Sequence, residues 1–195
     1  GWLQEASDVG YYSAAQKIIQ MFYILPALIA TSIFPVIAKT KNPSSREARL
    51  LLEKSVASVI ILSIPLFLIS FLFAPFIITL LFGPAYSESI ETFRILTITI
   101  LIVFPSTVIG NAIFAYDEQR RFGKFFVIAA LGNVFFNFLL IPIFGIEGAA
   151  ISTLLAQLCV NIFIWHAMKS INQFSLQGVL RSMKMLLSQA KIETV

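Results

Sequence analysis

The chain has 195 residues, of which 58% are hydrophobic and only 12% carry a charge. Soluble domains carry about 25% charged residues, and a soluble fold of this size cannot bury so much apolar surface. The composition therefore predicts a membrane protein and excludes an ordinary soluble domain. The net charge of +4 does not indicate nucleic-acid binding, because most of the basic residues lie between apolar runs.

Five apolar stretches reach the length of about 20 residues that a membrane-spanning helix needs. They predict an all-α membrane protein in which residues 1–168 form the transmembrane bundle. The second stretch would be about 42 Å long at 1.5 Å per residue, so it must tilt, kink or project. Pro65 and Pro75 supply kink sites within it. The predicted spans are residues 12–38, 55–82, 93–116, 125–146 and 148–168.

The segments that connect these spans alternate in charge. Twelve of the fourteen Lys and Arg residues lie in three segments: between the first and second spans, between the third and fourth, and after the fifth. The remaining segments carry the acidic residues Glu5, Asp8, Glu88, Glu91 and Glu147. The positive-inside rule predicts that the basic segments and the C-terminus are cytoplasmic and that the first residues lie outside.

Residues 169–195 differ in character from the spans and predict a cytoplasmic tail. From residue 176 to residue 191, apolar and polar side chains separate onto two faces of a helix. This pattern predicts a basic amphipathic helix on the inner leaflet, with packing against a partner helix as the alternative. The apolar face holds Val179, Leu180, Met183, Leu186 and Leu187, and the polar face holds Gln177, Arg181, Lys184, Ser188 and Lys191.

Polar residues inside a span are costly and each needs a reason. Ser13, Lys17 and Gln20 recur at helical spacing on the first span, with Gln16 beside them. One interpretation is that this face lines a cavity in which Lys17 meets an anionic substrate. The alternative is that the long side chain of Lys17 extends to the outer membrane surface and has no other role.

Further polar residues occur on the later spans. Arg94 follows Glu91 by three residues, which favours an interfacial ion pair, with a substrate contact as the alternative. The others either form hydrogen bonds between helices or line a cavity. They are Asn111 on the third span, Asn133 and Asn137 on the fourth, and Thr153, Gln157 and Asn161 on the fifth.

No motif in the sequence indicates catalysis. There is no cluster of His, Cys, Asp and Glu with metal-ligand spacing, no P-loop and no dinucleotide-binding fingerprint. The single histidine, His166, cannot form a metal site alone. The sequence therefore predicts a protein that is not an enzyme, with no cofactor, no metal and no nucleic-acid partner.

Several motifs resemble those of Wzx-type polysaccharide flippases. Residues 9–17 (VGYYSAAQK), followed by Leu-Pro-Ala at 25–27 and Phe-Pro at 34–35, resemble the opening of their eighth helix. Residues 81–86 (LFGPAY) resemble the turn that ends their ninth helix. Residues 133–153 (NVFFNFLLIPIFGIEGAAIST) are similar to the junction of their eleventh and twelfth helices, and this motif is the most specific.

The resemblance implies the multidrug/oligosaccharidyl-lipid/polysaccharide exporter superfamily, whose members arrange two six-helix lobes around a central cavity. This chain would supply most of the second lobe, and the first lobe would be its missing partner. The implied substrate is an undecaprenyl-pyrophosphate-linked oligosaccharide, and the implied location is the bacterial cytoplasmic membrane. Lys17 is the first candidate for a cavity residue that contacts the substrate, and Arg94 is the second. Membrane lipids and glycan polymerase or ligase machinery are further expected partners.

Three alternatives remain open from the sequence. A drug or metabolite antiporter of the same superfamily is one, although no acidic residue lies at the middle of a span. A lipid II flippase is another. The last is a membrane subunit that transports nothing and only scaffolds glycan-assembly enzymes.

Overall fold

A computed structural model describes residues 5–40 and 42–193, and every regular element in these ranges is helical. This confirms the predicted all-α class. A short 3-10 turn, Pro84–Tyr86, follows the fourth helix. The helices are α1 (Ala6–Phe22), α2 (Ile24–Ala38), α3 (Arg46–Leu72), α4 (Ala74–Phe82), α5 (Ser89–Ala115), α6 (Gln119–Asn172) and α7 (Leu176–Glu193).

Two of the predicted spans are each built from a pair of consecutive helices. Only Tyr23 separates α1 from α2, so Ala6–Ala38 is a nearly continuous apolar helix of 33 residues. The second predicted span is interrupted at Phe73, two residues before Pro75, whereas Pro65 lies inside the uninterrupted helix α3. Because proline lacks the N–H that would continue the backbone ladder, the break near Pro75 has a direct cause.

Helix α5 is the central element of the bundle. It packs against α1, α2, α3 and α6, and it buries a continuous set of large side chains. Phe93, Leu96, Ile100 and Phe104 are fully buried. Because residues on all sides of α5 are covered, its sequence shows little separation into apolar and polar faces.

Helix α6 folds back on itself at Gly145. The backbone there has φ 59° and ψ −134°, outside the helical region and accessible mainly to glycine. The carbonyl group of Leu140 occupies the space that a Cβ atom on Gly148 would need. The rings of Phe125 and Phe163 stack with centroids 4.6 Å apart. Residues 119–144 and 146–172 therefore lie side by side as two arms of a hairpin.

Four helices in the described ranges are long and apolar enough to cross a membrane: Ala6–Ala38, Arg46–Leu72, Ser89–Ala115 and Phe125–Asn172. The chain is thus a multi-pass membrane protein. The fourth and fifth predicted spans both fall within the last of these helices. The predicted count of five crossings is not established by length and composition, and it stays a prediction.

The chain connections gather at two ends of the bundle. At one end, the Ser44 hydroxyl donates to the carbonyl of Ile171 at 2.9 Å. The Asn172 amide donates there to the carbonyl of Pro43 at 2.8 Å and to the Tyr116 hydroxyl at 3.2 Å. We call this the basic end, since it carries the ends of the segments with Lys39, Arg46, Arg49, Lys54, Arg120 and Lys169.

The opposite end is held by different contacts. The Ser89 hydroxyl donates to the carbonyl of Tyr11 at 2.9 Å, and the Tyr11 and Tyr86 rings meet edge to face at 5.7 Å. We call this the acidic end, since Asp8, Glu88 and Glu91 lie beside these contacts in the sequence. The charge pattern predicted from the loops thus coincides with two physical ends of the fold.

Helix α7 packs against α3. Val179 is fully buried, and Met183 and Leu186 pack against the core. Leu180 and Leu187, which the sequence pattern placed on the same apolar face, are 50% and 55% exposed. Part of the apolar face of α7 therefore packs against a helix, as the alternative prediction stated, and that helix is α3 of the same chain.

Candidate functional site: a polar arc on α1 and the adjoining α6 groove

Lys17 lies on the face of α1 that points away from the bundle. Its neighbours Ala14, Ala15, Ile18 and Ile19 form the buried face of the helix. Lys17 itself is exposed. Within the described part of the chain its ammonium group has no ion-pair or hydrogen-bond partner. A cation is therefore presented on the surface of a helix long and apolar enough to cross a membrane.

The other two predicted residues of this stripe differ from each other. Gln20 is exposed and its amide makes no hydrogen bond among the described residues. The Ser13 hydroxyl donates to the carbonyl of Val9 at 2.6 Å, one turn earlier on the same helix. Ser13 is therefore already satisfied locally, whereas Gln20 and Lys17 keep their hydrogen-bonding capacity for other groups.

The stripe continues around the helix toward α6. At 100° per residue, Tyr12, Gln16, Gln20, Ser13 and Lys17 occupy an arc of about 140° within roughly 12 Å of helix length. We call these five residues the polar arc. Gln16 lies beside the predicted stripe in the sequence, whereas Tyr12, as a tyrosine at a span end, predicts only an interfacial residue.

Tyr12 connects the polar arc to α6. Its hydroxyl lies 3.0 Å from the hydroxyl of Thr153, on the second arm of the hairpin. Next to it, the side-chain oxygen of Gln16 is buried and has no hydrogen-bond partner among the described residues. A buried amide oxygen without a donor is costly, so this position favours a ligand hydroxyl or a water molecule.

A groove of about 290 Å³ runs between the two arms of α6. The amide of Asn137 donates to the side-chain oxygen of Asn133 at 3.0 Å on the first arm. Thr153 also lines the groove, so the polar arc and the groove share one boundary. The lining residues are Phe126, Ala129, Ala130, Asn133, Thr153, Ala156, Gln157 and Val160.

Asn161 and Asn111 do not line this groove. The Asn161 amide donates to the carbonyl of Ile102 at 2.6 Å and to the Ser106 hydroxyl, which joins α6 to α5. The Asn111 amide donates to the carbonyl of Thr107 at 2.9 Å within α5. For Asn161, the predicted alternative of a hydrogen bond between helices is confirmed.

Arg94 lies on α5. Its guanidinium pairs with the carboxylate of Glu91 at 2.5 Å and lies 5.9 Å from the ring centroid of Phe71. The predicted ion pair is therefore present. Because the charge is already paired and the side chain is 31% exposed, Arg94 is the weaker of the two candidates for an anionic ligand.

Three comparisons with known proteins bear on identity. Residues 1–91 match a family described as "Polysaccharide biosynthesis protein". The "Probable flippase AglR" of Haloferax volcanii is 30% identical over 172 residues, which cover 86% of this chain and 36% of the relative. The "Putative O-antigen transporter" of Escherichia coli is 26% identical over 161 residues, or 82% of this chain and 39% of the relative. No solved structure matches.

A further relative is named for the same activity. The "Probable low-salt glycan biosynthesis flippase Agl15" of Haloferax volcanii is 24% identical over 84% of this chain and 35% of its own length. The matches confirm the resemblance to polysaccharide flippases, which are transporters and not enzymes. The chain spans somewhat more than a third of these relatives. They include archaeal proteins, so the bacterial location implied by the resemblance stays a prediction.

Proposed function

We propose that this chain is part of a transporter that moves lipid-linked oligosaccharides across the cytoplasmic membrane. The observation that carries this proposal is the polar arc, in which Lys17 has no ion-pair partner among the described residues and lies on a helix long and apolar enough to span a membrane. The relatives named as a flippase and as an O-antigen transporter support a glycan as the transported class. An undecaprenyl-pyrophosphate headgroup carries the negative charge that an ammonium group at this position would attract.

The proposal includes five membrane crossings. The two arms of α6 each have the length of a span, and Gly145 turns the chain between them. The basic end then faces the cytoplasm with the C-terminus, and the acidic end faces outside. This arrangement leaves Gln20 and Lys17 exposed at membrane depth, which is costly in lipid. We therefore expect the rest of the transporter, in the form of a first lobe, to cover the polar arc and enclose a cavity.

The substrate would be bound in two parts. The ammonium of Lys17 would donate hydrogen bonds to the pyrophosphate oxygens. The sugar hydroxyls would lie toward the α6 groove, where Gln16, Asn133 and Gln157 offer amide donors and acceptors. Since these amides are uncharged, they suit a neutral sugar better than a second anion.

Alternating access would move this surface between the two sides of the membrane. The breaks at Tyr23 and Phe73 divide two spans into segments that can change angle with little loss of backbone hydrogen bonding. Such interrupted helices are typical of transporters in which one bundle rocks against another. The cation would then face the inner leaflet in one state and the outer leaflet in the other.

Replacement of Lys17 tests the proposal. In the intact protein, Lys17→Ala should lower glycan export at least about tenfold, whereas Lys17→Arg should retain much of it, because a charged hydrogen bond in a dry site contributes about 1.5–3 kcal/mol. Lys169→Ala is the matched control, since Lys169 is also exposed but lies in the last turn of α6. Protein level and membrane insertion are measured for each variant. Full export by Lys17→Ala would refute the cavity role of Lys17.

A further inference from the structure

The junction between α3 and α7 contains a buried carboxylate. Glu53 is only 3% exposed. Its carboxylate oxygen accepts hydrogen bonds from the backbone N–H and the hydroxyl of Ser175, at 3.3 and 3.1 Å. The Ser175 hydroxyl in turn accepts from the N–H of Gly178 at 3.0 Å. The carboxylate thus lies at the N-terminal turn of α7, where the helix dipole stabilises a negative charge.

Gly178 is what allows this close approach. The side chain of Glu53 occupies the space that a Cβ atom on Gly178 would need. Any other residue at this position would therefore displace the Glu53 carboxylate from Ser175 or push α7 away from α3. Glu53, Ser175 and Gly178, which we call the α7 junction, fix both the position and the rotation of the helix.

This rotation divides α7 into three faces. Val179, Ser182 and Leu186 turn toward α3, and the first two are buried. Leu176, Leu180 and Leu187 lie within an arc of about 40° at 100° per residue. They are 58%, 50% and 55% exposed, and we call them the leucine stripe.

The basic side chains border the leucine stripe on its other side. Lys184 and Arg181 are exposed and lie about 60° and 120° around the helix from the centre of the stripe. Helix α7 begins four residues after α6 ends, and it meets α3 at Glu53, just before the apolar part of α3 starts at Ser55. The stripe therefore lies at the level of the predicted membrane boundary of the second span.

We propose that α7 binds the surface of an anionic lipid membrane and that the α7 junction fixes its orientation there. The leucine stripe enters the acyl-chain boundary, while Arg181 and Lys184 contact the phosphate groups of the lipids. An apolar stripe beside exposed lysine and arginine is the arrangement that favours an anionic lipid surface.

Spin labels on single cysteines test the orientation, with Cys159 replaced by serine. Labels at Leu187 and at Ser188 compare adjacent residues on the stripe and on the basic side. In vesicles that contain phosphatidylglycerol, the Leu187 label should collide several-fold more with oxygen than with a water-soluble nickel chelate. The Ser188 label should show the reverse. Equal exposure of both labels to the chelate would overturn the proposal, as would shielding of Leu187 from both reagents, which indicates a protein partner.

The role of charge is tested by lipid composition. In vesicles of phosphatidylcholine alone, the label contrast should fall, by which we mean the difference between Leu187 and Ser188 in their ratio of oxygen to chelate collisions. An Arg181→Gln, Lys184→Gln double variant should show the same loss in phosphatidylglycerol vesicles. If the contrast is the same in all these samples, anionic lipid recognition is refuted.

The role of the α7 junction is tested by Gly178→Ala. The added methyl group should release α7, so that trypsin cleaves after Arg181 and Lys184 several-fold faster and the label contrast disappears. The added Glu53→Ala change makes room for the methyl group and should partly restore protection. Gly110→Ala is the control, because a Cβ atom there contacts nothing within 4 Å. Unchanged cleavage of Gly178→Ala would overturn this role of the α7 junction.

Discussion

On α1, Lys17 and Gln20 are exposed and have no side-chain partner within the described part of the chain. Between α5 and α6, by contrast, the Asn161 amide bonds both the Ile102 carbonyl and the Ser106 hydroxyl. Both sets of polar groups lie within helices that are long and apolar enough to span a membrane. The polar groups therefore have two different roles. The hydrogen bonds between α5 and α6 hold the bundle together, whereas Lys17 and Gln20 are available to bind a group outside the bundle.

The two kinds of polar group should differ in what their removal costs in stability. Removing a polar group that is already bonded leaves its partner unsatisfied, and the fold loses stability. Removing one that contacts nothing in the chain leaves the fold unchanged and affects only what binds there. Substitutions between α5 and α6 should therefore lower stability, whereas substitutions of the exposed residues on α1 should lower transport and leave stability unchanged.

The largest expected loss of stability is at the hairpin that brings the second arm of α6 to α5. Gly148→Ala places a methyl group where the Leu140 carbonyl lies, so the two arms must move apart. We expect destabilisation of about 1–3 kcal/mol, the typical range for overpacked sites that force backbone shifts. The measurement is thermal unfolding of the intact protein in detergent.

A second glycine of the same hairpin provides the control. A Cβ atom on Gly132 would contact nothing within 4 Å. Gly132→Ala should therefore leave the unfolding temperature unchanged or raise it, because alanine is the better helix former. If Gly148→Ala and Gly132→Ala unfold at the same temperature, the close approach of the arms at Gly148 is wrong.

The α6 hairpin also shows what could be predicted from the sequence. Apolar length separated the two predicted spans, residues 125–146 and 148–168, beside the turn at Gly145, and the crossing of the membrane by each arm stays a prediction. Apolar length did not reveal that Tyr12 would meet Thr153, since a contact over 141 positions depends on packing and not on local pattern. The sequence placed Gln16 beside the polar stripe, but it could not show that the side-chain oxygen lacks a partner, because this appears only when neighbouring helices bury it.

Helix α7 also shows what local sequence pattern can and cannot predict. Helical periodicity separated its apolar residues from its basic ones. It could not divide the apolar residues between α3 and the surroundings, because the Glu53–Ser175 contact that sets the rotation joins residues 122 positions apart. Arg94 was more predictable, since its partner Glu91 is three residues away on the same helix.

An intermediate effect is expected at the α5–α6 contact itself. Asn161→Leu removes both hydrogen bonds of the amide and should destabilise the bundle by about 0.6–1.7 kcal/mol, the range measured for polar contacts in membranes. The unfolding free energy in detergent with added denaturant measures this. Ile162→Leu at the adjacent, 67% exposed position is the control and should change nothing. Equal values for the two variants would show that Asn161 does not stabilise the bundle.

The smallest expected effect on stability is at Lys17. It distinguishes a residue that serves the substrate from one that holds the bundle together. Lys17→Met keeps the length of the side chain and removes the charge. Because the ammonium contacts nothing in the described chain, the unfolding free energy should change by less than about 0.5 kcal/mol. The same thermal and denaturant measurements apply, with Asn161→Leu as the reference for a structural polar group. If Lys17→Met destabilises the protein as much as Asn161→Leu does, Lys17 is bonded within the intact transporter, and its proposed role toward the substrate is lost. If stability holds while export falls, the cation serves the substrate, because only a contact outside the fold accounts for both results.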